Sequence, residues 1–209
     1  LSGTYPLDSG TVELGGRRID GLAPHLVSRA GLSRSFQNIR LFPEMTALQN
    51  VQVGRFARSP RQILGTILRT RAWRDREQAS LERSKELLAF VGLEDRAGSW
   101  ARALPYGLQR RLEVARALAT DPKVLLLDEP GAGMNPQEIV DMMALVKSIA
   151  RLGVAVVVIE HHMKLVMEIS DRIVVLDHGE PIAEGSPDEI RRDPRVVEAY
   201  LGRSEESHG

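Results

Sequence analysis

The chain has 209 residues, 43% of them apolar, enough to bury the core of one domain with a small subdomain attached. Lys plus Arg number 28 and Asp plus Glu 28, so the formal net charge is zero, and the basic excess of a large sequence-independent nucleic-acid site is absent. There is no cysteine, which excludes disulfide frameworks and thiolate metal sites and suits a reducing compartment.

In chain order, residues 11–14 and 17–20 flank Gly15-Gly16, a two-residue turn signal that predicts a hairpin. Pro24 is placed to open a short helix, Gly31 to stop it, and residues 32–36 read as a short strand. From about Thr46 to Arg102 the chain is rich in Arg, Ala, Leu and Gln. Leu81, Leu88 and Val91 recur at helical spacing and Gly92 follows as a C-cap. Residues 46–102 are therefore expected to form a helical insertion, least defined around 60–74. After Gly107 a helix is expected to about Thr120, then a breaker at Asp121-Pro122 and a buried strand at 124–127.

The next helix is expected from Pro136 to about Leu152, with Ile139, Met143, Val146 and Ala150 on one face and Gly153 at its end. Residues 154–159 are apolar throughout, which predicts a strand covered on both faces. This is also the longest strongly apolar run, far short of the ~20 residues that span a bilayer. No signal peptide is visible at the start, so the protein is expected to be soluble, with membrane contact through a partner. A strand at 172–177, a turn at His178-Gly179, a strand at 181–184 and short helices near 187–192 and 194–201 follow, with a polar tail from Arg203. Strands alternating with helices in this way predict an α/β fold with βαβ units and a mainly parallel sheet. Ligands of such sheets bind beyond the carboxyl ends of the strands.

At the end of the 124–127 strand stand Asp128 and Glu129, followed by Pro130. Two adjacent carboxylates delivered by a buried strand are costly without compensation. Mg²⁺ held by one, with water oriented by the other, is one reading; an ordinary loop start is the other. The 154–159 strand repeats the design with Glu160, His161 and His162. His161 is placed to contact a phosphate oxygen or an attacking water. The adjacent histidines are poor chelating geometry for zinc, with no third ligand apparent at metal spacing. Gln37, after the 32–36 strand, offers an amide to a metal shell. Leu104, Pro105, Tyr106, Gly107, Leu108 and Gln109 open a helix whose N-terminal N–H groups favour an anion. Arg110, Arg111 and Arg116 read equally well as surface charges.

In this order and spacing the motifs resemble those of ABC-transporter ATPase subunits, over essentially all 209 residues. The resemblance assigns Asp128-Glu129 to the Walker B pair, Gln37 to the Q-loop, His161 to the switch histidine and residues 104–109 to the signature motif. Residues 131–136, with Asn135 in place of the usual Asp, resemble the D-loop. The stretches 34–42, 106–116, 159–167 and 198–202 are similar to those of branched-chain amino acid importers; lipopolysaccharide-export and urea-import ATPases share parts of them. The implied fold is a P-loop NTPase (RecA-like) core formed by residues 1–45 and 103–209, with a helical subdomain at 46–102. No G-x-x-x-x-G-K-[ST] occurs in the 209 residues, and the chain starts at Leu1 rather than Met. By resemblance it starts just beyond the Walker A strand, loop and helix. Pro105 stands where many relatives carry a serine, and Leu108 replaces a commoner polar residue.

The resemblance implies ATP and Mg²⁺ as ligands, with Asp128 and Gln37 holding the metal, Glu129 polarising water and His161 at the γ-phosphate. It implies a second ATPase subunit, transmembrane permease partners and, indirectly, an external solute-binding protein, but no nucleic acid. The implied place is peripheral, on the cytoplasmic face of the bacterial inner membrane. The 209 residues alone are expected to bind ATP poorly. Rival readings are an impaired, truncated interaction subunit, a soluble ABC ATPase of DNA repair or translation, and a lipopolysaccharide-type exporter ATPase.

Overall fold

A computed structural model describes residues 3, 7–35, 39–56 and 70–201. Two compact units, Leu1–Ile159 and Glu160–Gly209, divide the chain.

In the first unit, β1 (Glu13–Leu14) and β2 (Arg17–Arg18) pair antiparallel with Leu14 opposite Arg17. Gly15 and Gly16 turn between them at φ 57° and 76°, the two positive φ values that a tight two-residue hairpin turn demands and glycine adopts without clash. Helix α1 (Pro24–Ala30) starts on proline and ends at Gly31, whose N–H is donated to the Ser28 and Val27 carbonyls. Strand β3 (Leu32–Arg34) follows. Ile19, Val27, Leu32 and Leu126 form one apolar cluster that ties the hairpin and α1 to the sheet.

Helix α2 (Ala47–Phe56) buries Ala47, Asn50, Val51 and Gly54. Helix α3 (Arg71–Phe90) is capped by the Thr70 hydroxyl, which accepts from the Trp73 N–H, and buries little beyond Ser84, Leu87 and Leu88. Its other faces are charged, as the sequence pattern anticipates. Helix α4 (Tyr106–Leu118) is largely buried and packs against both α2 and α3. It begins at Tyr106, so Gly107 lies within its first turn rather than before it.

Strand β4 (Val124–Asp128), helix α5 (Pro136–Arg151) and strand β5 (Ala155–Ile159) form a βαβ unit. The sheet is parallel in the order β3-β4-β5, with Arg34 beside Leu126 and Asp128 beside Ile159. Leu125, Leu126 and Leu127 are all buried, as expected for a central strand. Two expectations are corrected. The buried stripe of α5 is Met142, Met143, Leu145, Val146 and Ile149, and Ala150 is exposed. Strand β5 is not covered on both faces: Val157 is 45% and Ile159 55% exposed. Among the described residues β5 is the edge of its sheet, and alternate side chains face outward because nothing in this unit packs on that face.

In the second unit, helix α6 (Met163–Ile169) precedes strands β6 (Ile173–Asp177) and β7 (Glu180–Gly185), an antiparallel pair turning at His178 and Gly179. Helix α7 (Pro187–Arg192) opens with a Ser186–Glu189 capping box, and α8 (Pro194–Val196) runs into a π-helical turn at Val197–Leu201. Ile173, Val175, Ala183, Ile190 and Val196 form this unit's core. The parallel sheet is thus three of the seven described strands, and the rest are hairpins.

Candidate active site

The carboxyl edge of β4 carries the two acids. Asp128 closes the strand, and its Oδ2 accepts from Arg34 Nη2 at 2.7 Å, an ion pair with the acid 18% and the base 32% exposed. The Asp128 charge is therefore compensated by a guanidinium from the neighbouring strand, a partner that sequence reasoning missed. Its Oδ1 carries no hydrogen bond among the described residues. Glu129 leaves the strand at φ 45°, in the left-handed region that costs a non-glycine residue roughly 1 kcal/mol or more. Its N–H is donated to the Ile159 carbonyl, and its own carbonyl accepts from Ala132. The turn swings the chain sharply away at the acid pair, and Glu129 remains half-buried.

The start of α4 is a packed corner. Pro105 caps the helix with no side-chain hydrogen bond. The Gln109 amide is donated back to the Leu104 carbonyl at 2.8 Å, closing the first turn. Leu104 and Gly107 are buried; Tyr106 is 42% exposed and Leu108 half-buried. Gly107 lies against the Glu138 carboxylate of α5, so close that any Cβ would strike its Oε1. The anion that approaches this glycine is thus one of the chain's own. Glu138 is fixed in turn by the capping box of α5, its Oε2 accepting from the Asn135 N–H and the Asn135 Oδ1 accepting from the Glu138 N–H, both at 3.0 Å. Asn135 is thereby an N-cap at this same corner. Arg111 Nη2 to Asp141 Oδ2 at 3.0 Å adds a second tie between α4 and α5.

Downstream of Gln37, residues 40–46 are stitched to α2 and α4. Asn50 is fully buried: its Oδ1 accepts from the Phe42 N–H at 2.9 Å and its Nδ2 is donated to the Phe42, Met45 and Thr46 carbonyls. Glu113, 2% exposed, accepts from the Arg40 N–H and lies 3.5 Å from Arg110 Nη1 and 3.9 Å from Arg116 Nη2. Arg116 is donated to the Arg40 carbonyl and sits 5.8 Å from the Phe42 ring centroid. Burial lowers its pKa below the usual guanidinium value, and the Glu113 charge works against that shift. Arg110 is therefore a buried structural cation and Arg116 a half-buried one, each tied to Glu113. Their spacing to Glu113, i+3 in both directions, was the available signal.

Gln37 lies outside the described residues. His161 belongs to the second unit, just past β5, with its ring 61% exposed. Within the first unit the structure thus brings Asp128 and Glu129 together at one strand end, and residues 104–109 together with Asn135 at one helix corner.

Residues 1–132 match the ABC transporter family, and residues 180–206 the branched-chain amino acid ATP-binding cassette transporter family. The chain is 44% identical to the high-affinity branched-chain amino acid transport ATP-binding protein BraF of Pseudomonas aeruginosa, over 98% of this chain and 80% of that protein. It is 40% identical to the protein of corresponding description, LivG, of Escherichia coli, with the same coverage. The fold superimposes on the ADP conformation of an ATP-binding cassette of an ABC transporter with TM-score 0.80, at 29% identity, covering 96% of this chain and 80% of that one. A nucleotide-free ATP-binding cassette gives 0.79 at 28% identity, covering 95% and 79%. The chain belongs to the ABC transporter family, among its branched-chain amino acid transport ATP-binding proteins.

Proposed function

We propose that this chain is the ATP-binding and hydrolysing subunit of an importer of branched-chain amino acids. The observation that carries the reading is the pair Asp128-Glu129, delivered by a buried central strand to the carboxyl edge of a parallel sheet, in a chain 44% identical to a branched-chain amino acid transport ATP-binding protein. The same names favour import over the lipopolysaccharide-export alternative.

In this reading Asp128, with Gln37, holds Mg²⁺; the Oδ1 atom left by the Arg34 pair is a suitable hard oxygen donor. The metal would supply charge neutralisation on the phosphate oxygens. Glu129 polarises the water that attacks the γ-phosphorus, and ADP leaves through the β–γ bridging oxygen. His161 contacts the γ-phosphate. The corner formed by residues 104–109 and Asn135 faces the nucleotide of a second ATPase subunit. Residues 1–45 and 103–209 form the nucleotide core, and the helical segment 46–102 meets the transmembrane permease subunits, with an external solute-binding protein delivering the amino acid. The ties from Asn50, Glu113 and Arg116 fix residues 40–46 to α2 and α4, and in this reading that segment connects Gln37 to the helices. The subunit acts at the cytoplasmic face of the membrane. No helix of the described residues is long and apolar enough to cross a membrane, which agrees with attachment through the permease.

The test is ATP hydrolysis by the transporter complex assembled in membranes. Glu129→Gln keeps the size and removes the charge, so turnover is expected to fall by about a hundredfold or more. Unchanged turnover in the assembled variant complex contradicts the reading.

A further inference from the structure

His161 and His162 stand side by side just past β5, and two adjacent imidazoles alone chelate poorly. The structure adds a third donor. The Glu160 side chain is 1% exposed, and its Oε2 lies 3.2 Å from His162 Nδ1 and 3.9 Å from His161 Nδ1. The same oxygen accepts from the backbone N–H groups of His161 and His162, at 3.1 and 3.5 Å, which fixes the carboxylate. One ligand atom from each of the three residues lies within 4.8 Å of the other two. The rings, 61% and 52% exposed, lean together with centroids 4.2 Å apart.

A tetrahedral zinc site with metal–ligand distances of about 2.0–2.2 Å sets its ligand atoms roughly 3.3–3.6 Å apart. The two Glu160–imidazole separations straddle that spacing. His162 Nδ1 is within hydrogen-bond distance of the Glu160 oxygen, and His161 Nδ1 lies 3.9 Å from the same oxygen, so both imidazoles flank one fixed carboxylate. Two nitrogens and one oxygen suit Zn²⁺ and its neighbours in the first transition row, not Mg²⁺, and leave a fourth position for water or another ligand. The buried carboxylate is already ordered, so only the exposed rings have to adjust.

We propose that Glu160, His161 and His162 form a binding site for a single divalent transition cation of the Zn²⁺ class. Occupation engages the imidazole that the proposed function assigns to the γ-phosphate, so the cation would oppose hydrolysis; this consequence rests on that reading, whereas the site itself does not.

The test is titration of the purified full chain with Co²⁺, whose visible absorption reports four-coordinate binding, followed by displacement with Zn²⁺. One saturable equivalent is expected. His162→Ala and Glu160→Gln, checked for native fold by circular dichroism, each weaken binding by at least about tenfold. His178→Ala leaves it unchanged; that histidine, 89% exposed beside Asp177, is a two-ligand pair elsewhere in the same unit. No saturable binding, or binding that survives His162→Ala, or binding lost with His178→Ala, overturns the site. The readout involves no nucleotide, so it stands or fails separately from the ATPase assignment.

Discussion

At the residue scale, the chemistry-bearing side chains rest on partners that are distant in sequence. Asp128 was legible as a candidate because a run of buried apolar residues ends on it. Arg34, which neutralises it, was not, because the pairing of β3 with β4 across 94 positions is set by tertiary packing. Asn50 was invisible for a different reason: one amide in a helical stretch says nothing until the loop it serves is in place. Fully buried, it satisfies four backbone groups of residues 42–46. Asn50→Ala leaves the Phe42 N–H without its partner, while the Phe42, Met45 and Thr46 carbonyls keep backbone donors, and is expected to lower unfolding free energy by about 1–3 kcal/mol, the cost of one buried group left unsatisfied. Urea denaturation measures it, and a loss below about 0.5 kcal/mol, the scale of ordinary surface changes, contradicts the network's role.

Local chemistry explains which elements could be read in advance. The hairpin at Gly15-Gly16, the turn at His178-Gly179 and the helices opening at Pro24, Pro136 and Pro187 all declare themselves through turn and cap residues a few positions long. The covering of β5 did not, because an apolar run records what a strand can bury, not which neighbours are present to bury it. The stripe of α5 was misplaced by one position at its end, Ile149 rather than Ala150, since a helical pattern drifts against the face it meets. Helix α2 meets α4 at Gly54, where a Cβ would strike the Arg116 carbonyl, a backbone atom that cannot swing aside. Gly54→Ala is therefore expected to force the two helices apart at a cost of about 1–3 kcal/mol. A thermal midpoint equal to or above that of the parent protein contradicts this packing.

Taken as a whole, the molecule is electrically balanced, and three of its carboxylates are held below their ordinary pKa by local partners. The N–H of Val12 lowers the Asp20 pKa, the N–H of Ser186 lowers that of Glu189, and the Arg195 guanidinium lowers that of Asp193. Each folded value lies below the unfolded one, so each contribution is fully present above the unfolded value of about 4 and is lost as pH falls through the folded value. The urea midpoint is expected to be flat between about pH 5 and 7 and to fall below about pH 4. The Asp20→Asn, Glu189→Gln, Asp193→Asn triple variant is expected to fall less steeply; an unchanged profile in the variant contradicts these assignments. Family membership was also legible in sequence, because it rests on the order of several short motifs. The packed corner between Gly107 and Glu138 was not, because it needs two helix starts to meet.

The central claim is tested most directly by the uptake of labelled leucine, isoleucine and valine in cells that carry Glu129→Gln at the natural locus, with an unrelated amino acid as control. Uptake of the three is expected to fall to background while the control and the level of the protein are unchanged. Unimpaired uptake of all three would contradict the assignment of this chain as the subunit that powers their import.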